Sequence, residues 1–404
     1  MSRLEEPTNE ARAMQKEISA FAEQGGGRAT KVAQLIQQHC PDGVEYKKIK
    51  EVYQRIKGTP ITAGKMKEIQ CPTGEIRIFA GGKTVIDANE ADIPNANITR
   101  VPSVLVQSRG VIDVIYYDKP FTFKNEMWAY THKEPTSVKF LYYVMKQNIQ
   151  HFRDAASGMG ALPQISLGTT EDFVIPVPPL PVQEEIVRIL DNFAELQAEL
   201  QAELQKRLQQ YNYYRDKLLS FNDLSGGGYA VSVEWKRLKD VLRIKNGKDY
   251  KHLNSGLIPV YGSGGIMTYV DTPMYSKPSV LIPRKGSIDK LYYVDTPFWN
   301  VDTIFYTEID TSKVVEKYVY YVLQKEHLEK LNTAGGVPSL TQGVLNEVLI
   351  PVPSIAEQQR IVDILDRFHA LTTDIAAGLP AEIEARRKQY EYYRDQLLTF
   401  KQKA

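Results

Sequence analysis

QEEIVRILDNFAELQAELQAELQKRLQQYNYYRDKLLSF, residues Gln183–Phe221, has a second copy over Gln358–Phe400. Each copy is led in by Ile-Pro-Val-Pro, at Ile175–Pro178 and Ile350–Pro353. Each runs through Ile-Val-x-Ile-Leu-Asp-x-Phe, at Ile186–Phe193 and Ile361–Phe368, and closes on Tyr-x-Tyr-Tyr-Arg-Asp-x-Leu-Leu-x-Phe, at Tyr211–Phe221 and Tyr390–Phe400. The openings are offset by 175 residues and the closings by 179 (Ile186 to Ile361, Tyr211 to Tyr390). A repeat of that length means two whole domains rather than a solenoid. In the first copy apolar residues fall at Ile186, Leu190, Phe193, Leu196, Leu200, Leu204, Leu208, Tyr211, Tyr214, Leu218 and Phe221. Those ten steps cover 35 residues, a helical seam of coiled-coil period. The second copy continues the seam at Ile361, Leu365, Phe368, Leu397 and Phe400. A long amphipathic helix needs a partner for its stripe, and the other copy is the natural one. Inside the second copy, Gly378-Leu379-Pro380 predicts a break, with Pro380 restarting the helix.

Outward from the helices lie two lobes built on parallel lines. Val44–Val52 answers Val233–Val241, and Gly58 answers Gly247. Gly74–Phe79 answers Gly256–Tyr261, and Pro102–Val106 answers Pro278–Ile282. Each last run leads to a basic turn, Ser108-Arg109-Gly110 or Arg284-Lys285-Gly286, and then to Tyr116-Tyr117 or Tyr292-Tyr293. Short β-branched and aromatic runs between glycine and proline turns predict strands. Helices are expected over Val138–Phe152 and Lys313–Leu331, and over Asn9–Glu23 and Ala29–His39 near the N-terminus. The expected architecture is α+β: two similar lobes of twisted sheet and helices, with two long antiparallel helices, pseudo-twofold symmetric. Its segments are 1–42 (helical), 43–180 (first lobe), 181–222 (central helix), 223–355 (second lobe) and 356–404 (C-terminal helix).

Composition narrows the function. A chain of 404 residues with 43% hydrophobic and 25% charged residues has room for two real cores. It has no apolar run long enough for a bilayer, and its acidic N-terminus lacks a signal-peptide pattern, so the expected location is cytoplasmic. Cys40 and Cys71 make no metal-ligand spacing or disulfide framework. Net charge is +1, but it divides unevenly. Nine Lys/Arg oppose four Glu over Val44–Thr84, eleven oppose five acids over Val231–Lys290, and five oppose seven over Pro181–Asn222. Basic lobes on a near-neutral rod suit a nucleic-acid reader.

The sequence holds no phosphate loop, no His-Glu-x-x-His, no Gly-x-Ser-x-Gly elbow and no metal-site spacing. What remains is binding chemistry. Lysine, arginine and glycine-turn N–H groups hold phosphates, and longer polar side chains read base edges. The candidate DNA-binding residues are Lys65, Lys67, Gly82, Lys83, Arg109 and Gly110 in the first lobe. In the second they are Lys248, Lys251, Gly265, Arg284, Lys285 and Lys290.

The duplicated helix motifs, with Gly378–Ile383 leading into Arg386-Arg387-Lys388-Gln389-Tyr390, resemble the DNA-specificity subunit of type I restriction–modification systems over most of the chain. The resemblance implies a non-catalytic subunit whose two lobes each read half of a bipartite site in double-stranded DNA. It also implies docking of two modification (methyltransferase) subunits, with restriction (motor-nuclease) subunits in the full complex. S-adenosylmethionine would then bind the modification subunits, with no cofactor on this chain. About 36 helical residues would span ~54 Å, or ~16 base pairs. A coiled-coil scaffold, a stand-alone DNA-binding protein and a self-sufficient methyltransferase or nuclease are the competing readings.

Overall fold

The computed structural model describes residues 31–157, 162–221, 232–332, 336–373 and 378–403. The expected helix Asn9–Glu23 and the glycines Gly226–Gly228 lie outside them, whereas the expected helix at Ala29–His39 is described over 31–39. The chain divides into two compact units, one of residues up to 199 together with those from 384, the other of residues 200–383.

In the first unit the lobe's strands resolve into three sheets. Ser103–Gln107, buried throughout, pairs antiparallel with Asp113–Tyr117 and with Trp128–Thr131, which in turn pairs with Gln54–Lys57. Ile76–Phe79 lies between antiparallel Val85–Ala88 and parallel Phe121–Phe123. Glu45–Lys48 pairs with Val174–Val177 at the foot of the long helix. The second unit repeats this order: Leu242–Asn246, Ile304–Ile309, Ser279–Pro283 and Tyr292–Val294 in one sheet, and Gly265–Val270, Ser255–Gly262 and Trp299–Asn300 in the next. Glu234–Arg237 with Leu349–Val352 completes the set. Gly58 and Gly247 both sit where a Cβ would lie 2.1 Å from a carbonyl oxygen, of Phe123 and Val301 respectively, so the paired backbones leave no room for a side chain.

Cross-strand pairing corrects one reading of the repeat. Val104 faces Tyr116, while its counterpart Val280 faces Tyr293. Tyr116 therefore corresponds to Tyr293 and not to Tyr292. A lysine ammonium sits over each ring, Lys139 at 5.0 Å and Lys317 at 5.6 Å. Register decides this, because a one-residue slip would turn each side chain to the opposite face.

The helices after Glu134 and Val315 run over Pro135–Gln147, followed by Ile149–Asp154, and over Glu316–Lys325, followed by a 3-10 turn at Leu328–Leu331. They are broken where single helices were expected. Short capped helices, Leu167–Glu171 and Gln342–Asn346, follow; the hydroxyls of Ser166 and Thr341 accept from the backbone N–H groups of Thr169 and Val344. The lead-in glutamines then reach back to proline carbonyls, Gln183 Nε2 to Pro178 O (2.7 Å) and Gln358 Nε2 to Pro353 O (2.9 Å).

The first long helix is continuous over Leu180–Ser220. The second is divided into Ile355–Thr373 and Leu379–Leu397, with Pro380 in the opening turn of the latter. Each unit combines the head of one long helix with the tail of the other. In the first, Phe193 stacks on Tyr393 with centroids 5.5 Å apart and planes at 24°. In the second, Phe368 stacks on Tyr214 at 5.6 Å and 24°. Each head also grips its own lobe. Asp191 accepts from Tyr143 Oη and pairs with Lys139 at 2.8 Å; Asp366 accepts from Tyr321 Oη and pairs with Lys317 at 2.7 Å. Burial first, then the neighbouring carboxylate, pushes both tyrosine hydroxyls up, so each remains a donor.

Along the seam Ile186, Leu190, Phe193, Leu200, Ile361, Leu365 and Leu397 are buried, while Leu204, Leu208, Leu218, Phe221, Phe368 and Phe400 are half-buried. Leu219 and Leu398, passed over by the 3.5-residue spacing, are buried as well. Repeated four-residue steps through Leu196–Leu208 rotate the stripe, so the tail of the first helix buries Tyr211, Arg215 and Leu219 at intervals of four.

Replacing Phe193 by alanine is expected to destabilise its unit by about 3 kcal/mol. In a double-mutant cycle with Tyr393→Ala, followed by urea unfolding, the stacked pair should show a coupling of about 1 kcal/mol. Strictly additive losses would mean that head and tail do not share this contact.

Candidate nucleic-acid interface

In the first lobe three loops are stitched together. Gly82, in the turn after Ile76–Phe79, takes a left-handed conformation (φ 71°), and its N–H donates to the Arg109 carbonyl at 3.3 Å. Gln107 Nε2 donates to the Gly82 carbonyl at 2.7 Å. Gly110 (φ 80°) donates to Pro163 O at 2.8 Å, Ile165 donates to Ser108 O at 2.9 Å, and Arg109 bridges to Gln164. The second lobe repeats the link between the basic turn and the loop that follows the lobe's helix, with other residues. Gly286 (φ 79°) donates to Pro338 O at 3.1 Å, Leu340 donates to Arg284 O at 2.9 Å, and Lys285 bridges to Ser339. The structural counterpart of Arg109 is therefore Lys285. Gly286 is the counterpart of Gly110.

The predicted residues divide by environment. Lys67, Gly82, Arg109 and Gly110 line one cleft of about 460 Å³, together with Lys124, Glu126 and Leu162. Lys65 lies outside it and is paired with Glu68 at 2.7 Å. Lys83 is exposed at the tip of the turn. In the second lobe Lys248, Lys251, Lys285 and Lys290 are exposed. Gly265 (φ 116°) opens the strand after the hairpin turn. Arg284 differs from them: its guanidinium lies 5.2 Å from the Phe305 ring centroid, and its Nε is buried. Among the described residues, Lys67, Lys83, Arg109, Lys248, Lys251, Arg284, Lys285 and Lys290 make no ion pair. Many cations elsewhere on the lobes are internally neutralised, as in Lys48–Asp172, Arg77–Asp87 and Lys239–Glu347, although Lys57, Lys119, Lys133, Arg243 and Lys277 also make no ion pair among the described residues. Charges left without internal partners are available to phosphate.

Sequence reasoning did not single out Gln107, Lys124, Glu126, Leu162, Gly286 or Val337 as site residues. Leu162 and Val337 are exposed beside the two basic turns at corresponding places. The signal for them was present in the paired loop motifs, but only cross-loop hydrogen bonding brings those loops to the turns. Among the described residues, no group of His, Cys, Asp and Glu could hold a metal ion. No helix among them is long and apolar enough to cross a membrane.

Comparisons with known proteins bear on the family and the fold. The family described as type I restriction modification DNA specificity domain matches twice, over residues 41–210 and 231–385. A type I restriction enzyme specificity subunit of Escherichia coli is 35% identical over 307 residues, covering 66% of this chain and 71% of the relative. One from Mycoplasma pneumoniae is 25% identical over 306 residues, covering 60% and 93%. The crystal structure of a type I restriction–modification S subunit from M. genitalium superposes with a TM-score of 0.59 at 20% identity, covering 88% of this chain and 95% of that one, which shows a shared fold.

The left-handed glycines that close the two basic turns carry a structural test. Gly110→Val and Gly286→Val should each destabilise their own lobe by about 1–2 kcal/mol, since a side chain there is strained whatever the space around it. Unfolding midpoints equal to the unmodified chain's would show that the turn can relax without cost.

Proposed function

Because the chain belongs to the type I restriction–modification DNA specificity family, as its non-catalytic subunit, we propose how it divides the work of recognition. Each lobe reads one half of a bipartite, asymmetric site in double-stranded DNA. The long helices set the separation of the halves and dock two modification subunits. Restriction subunits join the full complex, and S-adenosylmethionine is held by the modification subunits.

One observation carries this reading. The same link between basic turn and following loop occurs in both lobes with different side chains, Ser108-Arg109-Gly110 in one and Arg284-Lys285-Gly286 in the other, and the cations on it lack internal counter-charges. A shared backbone with unlike side chains suits two readers of unlike half-sites. Phosphates supply the missing counter-charge, and base edges supply the discrimination. Docking of two like subunits is supported by matched apolar exposure. Tyr213 is 61% exposed and its counterpart Tyr392 is 62% exposed, and Val174 and Leu349 stand exposed on the strands that precede the helix heads. A partner that arrives twice needs the same anchor twice.

The spacing role follows from the continuous helix, whose Leu-Gln-Ala-Glu reiteration contains the boundary between the two units. Deleting Leu200–Glu203 removes ~6 Å of rise. Sequencing of DNA modified by the reconstituted complex should then return both half-sites unchanged with a spacer about two base pairs shorter. Altered half-sites around an unchanged spacer would refute the spacing role. Separately, Lys285→Ala should weaken binding to all duplexes alike and reduce the salt slope of log affinity by about one. An unchanged slope would remove Lys285 from the phosphate contacts.

A further inference from the structure

The two lobes differ in chemistry on the hairpin of the three-stranded sheet. In the first lobe the facing pair Arg77 and Asp87 forms a two-point ion pair, at 2.9 and 3.1 Å, and the guanidinium holds the Asp87 carboxyl below the usual carboxylate range. The facing pair at the corresponding place in the second lobe is Pro259 and Tyr269. That hairpin, Ser255–Gly262 with Gly265–Val270, leaves large apolar side chains in solvent. Leu257 is 91% exposed, and Ile266, Met267 and Tyr269 are each half exposed or more. Its inner residues Val260 and Val270 are fully buried against Trp299 and Val301, so the ribbon itself is firmly seated.

Unpaired cations stand at both ends. Tyr250 and Leu253 pack into the core beneath the hairpin, which brings Lys251 beside its base. Tyr292 Oη donates to the Ser263 carbonyl at 3.3 Å at its tip, and a Cβ on Gly286 would meet Ser263 Oγ at 3.5 Å, which brings Lys285 beside that turn. An apolar strip with a lysine near each end, Lys251 standing beside the Asp249 and Asp271 carboxylates at the base, suits a ligand with charged rails and apolar groups between them. A two-stranded ribbon fits the B-DNA major groove, where thymine alone presents a methyl group. The strip also occurs in one lobe only, which does not suit a protein partner bound in two equal copies.

We propose that the exposed apolar side chains of the second lobe's hairpin, Leu257 and Tyr269 foremost, contact thymine methyl groups in the half-site read by that lobe. The proposal rests on the reading that the lobes bind duplex DNA. It makes the two half-sites differ in kind: the second lobe needs an A·T pair under its hairpin, and the first lobe presents a neutralised charge pair at that place.

The test uses the complex of the full chain with its modification subunits. Each thymine of the cognate duplex is replaced in turn by deoxyuridine, which lacks only the methyl group. The expected result is a loss of affinity of several-fold at one or more thymines, all in one half-site. Leu257→Ala and Tyr269→Ala should each weaken binding by about tenfold and abolish sensitivity to at least one of those replacements. Both residues are solvent-exposed, and Met267→Ala provides an independent variant on the same ribbon. A site without thymine in either half overturns the proposal. So does uniform tolerance of deoxyuridine, a loss in the variants that is equal on thymine and deoxyuridine, or release of the modification subunits. The Lys285→Ala salt slope separates the outcomes: if it changes while the hairpin variants do nothing, DNA binding by the lobe stands and methyl reading falls.

Discussion

The structure depends on a clamp made twice. A phenylalanine and an aspartate two residues apart sit at the head of each long helix, Asp191 with Phe193 and Asp366 with Phe368. The aspartate ties the head to its own lobe through a buried tyrosine and a lysine; the phenylalanine stacks on a tyrosine from the other helix's tail. Each contact is modest alone, since an aromatic pair adds about 1 kcal/mol beyond its burial. Together they mean that neither lobe-bearing unit is complete without a segment from the far end of a helix. The covalent chain and the folded unit therefore divide at different places, which is why the first unit needs residues beyond 383.

From that clamp the division of labour follows. The helix heads and tails repeat their contacts almost to the ångström, down to Arg215 over Tyr211 at 5.7 Å and Arg394 over Tyr390 at 5.8 Å. Burial pushes the Tyr390 hydroxyl up to about 12, which keeps that ring neutral beside its arginine. The lobes keep the backbone link between basic turn and following loop and change what hangs from it. Conserved geometry with exchanged side chains is what a modular reader requires: framework contacts decide where a turn stands, and the turn's residues decide what it touches.

The parts legible in the sequence were those whose signal is local. Helix heads, tails and the Gly378-Leu379-Pro380 break could be read because motif and helix register travel together along the chain. The basic turns could be read because each follows a buried strand and carries its own glycine. Cross-strand pairing was not legible, and it decides that Tyr116 matches Tyr293. Nor was the resolution of each lobe into three sheets, or the rotation of the seam that buries Leu219 in place of Leu218. The internal neutralisation of Lys65 by Glu68, and its absence at Lys67 two residues later, depends on which face of a seven-residue helix meets the cleft. Such facts live in long-range contacts, which composition and spacing do not carry.

The claim on which all this converges is that one chain presents two unlike readers at a separation set by its helices. Sequencing of DNA modified by the unaltered, reconstituted complex tests it most directly. The account predicts a motif of two different short half-sites flanking a fixed number of unread base pairs. A contiguous motif, a palindrome, or half-sites at variable separation would contradict it.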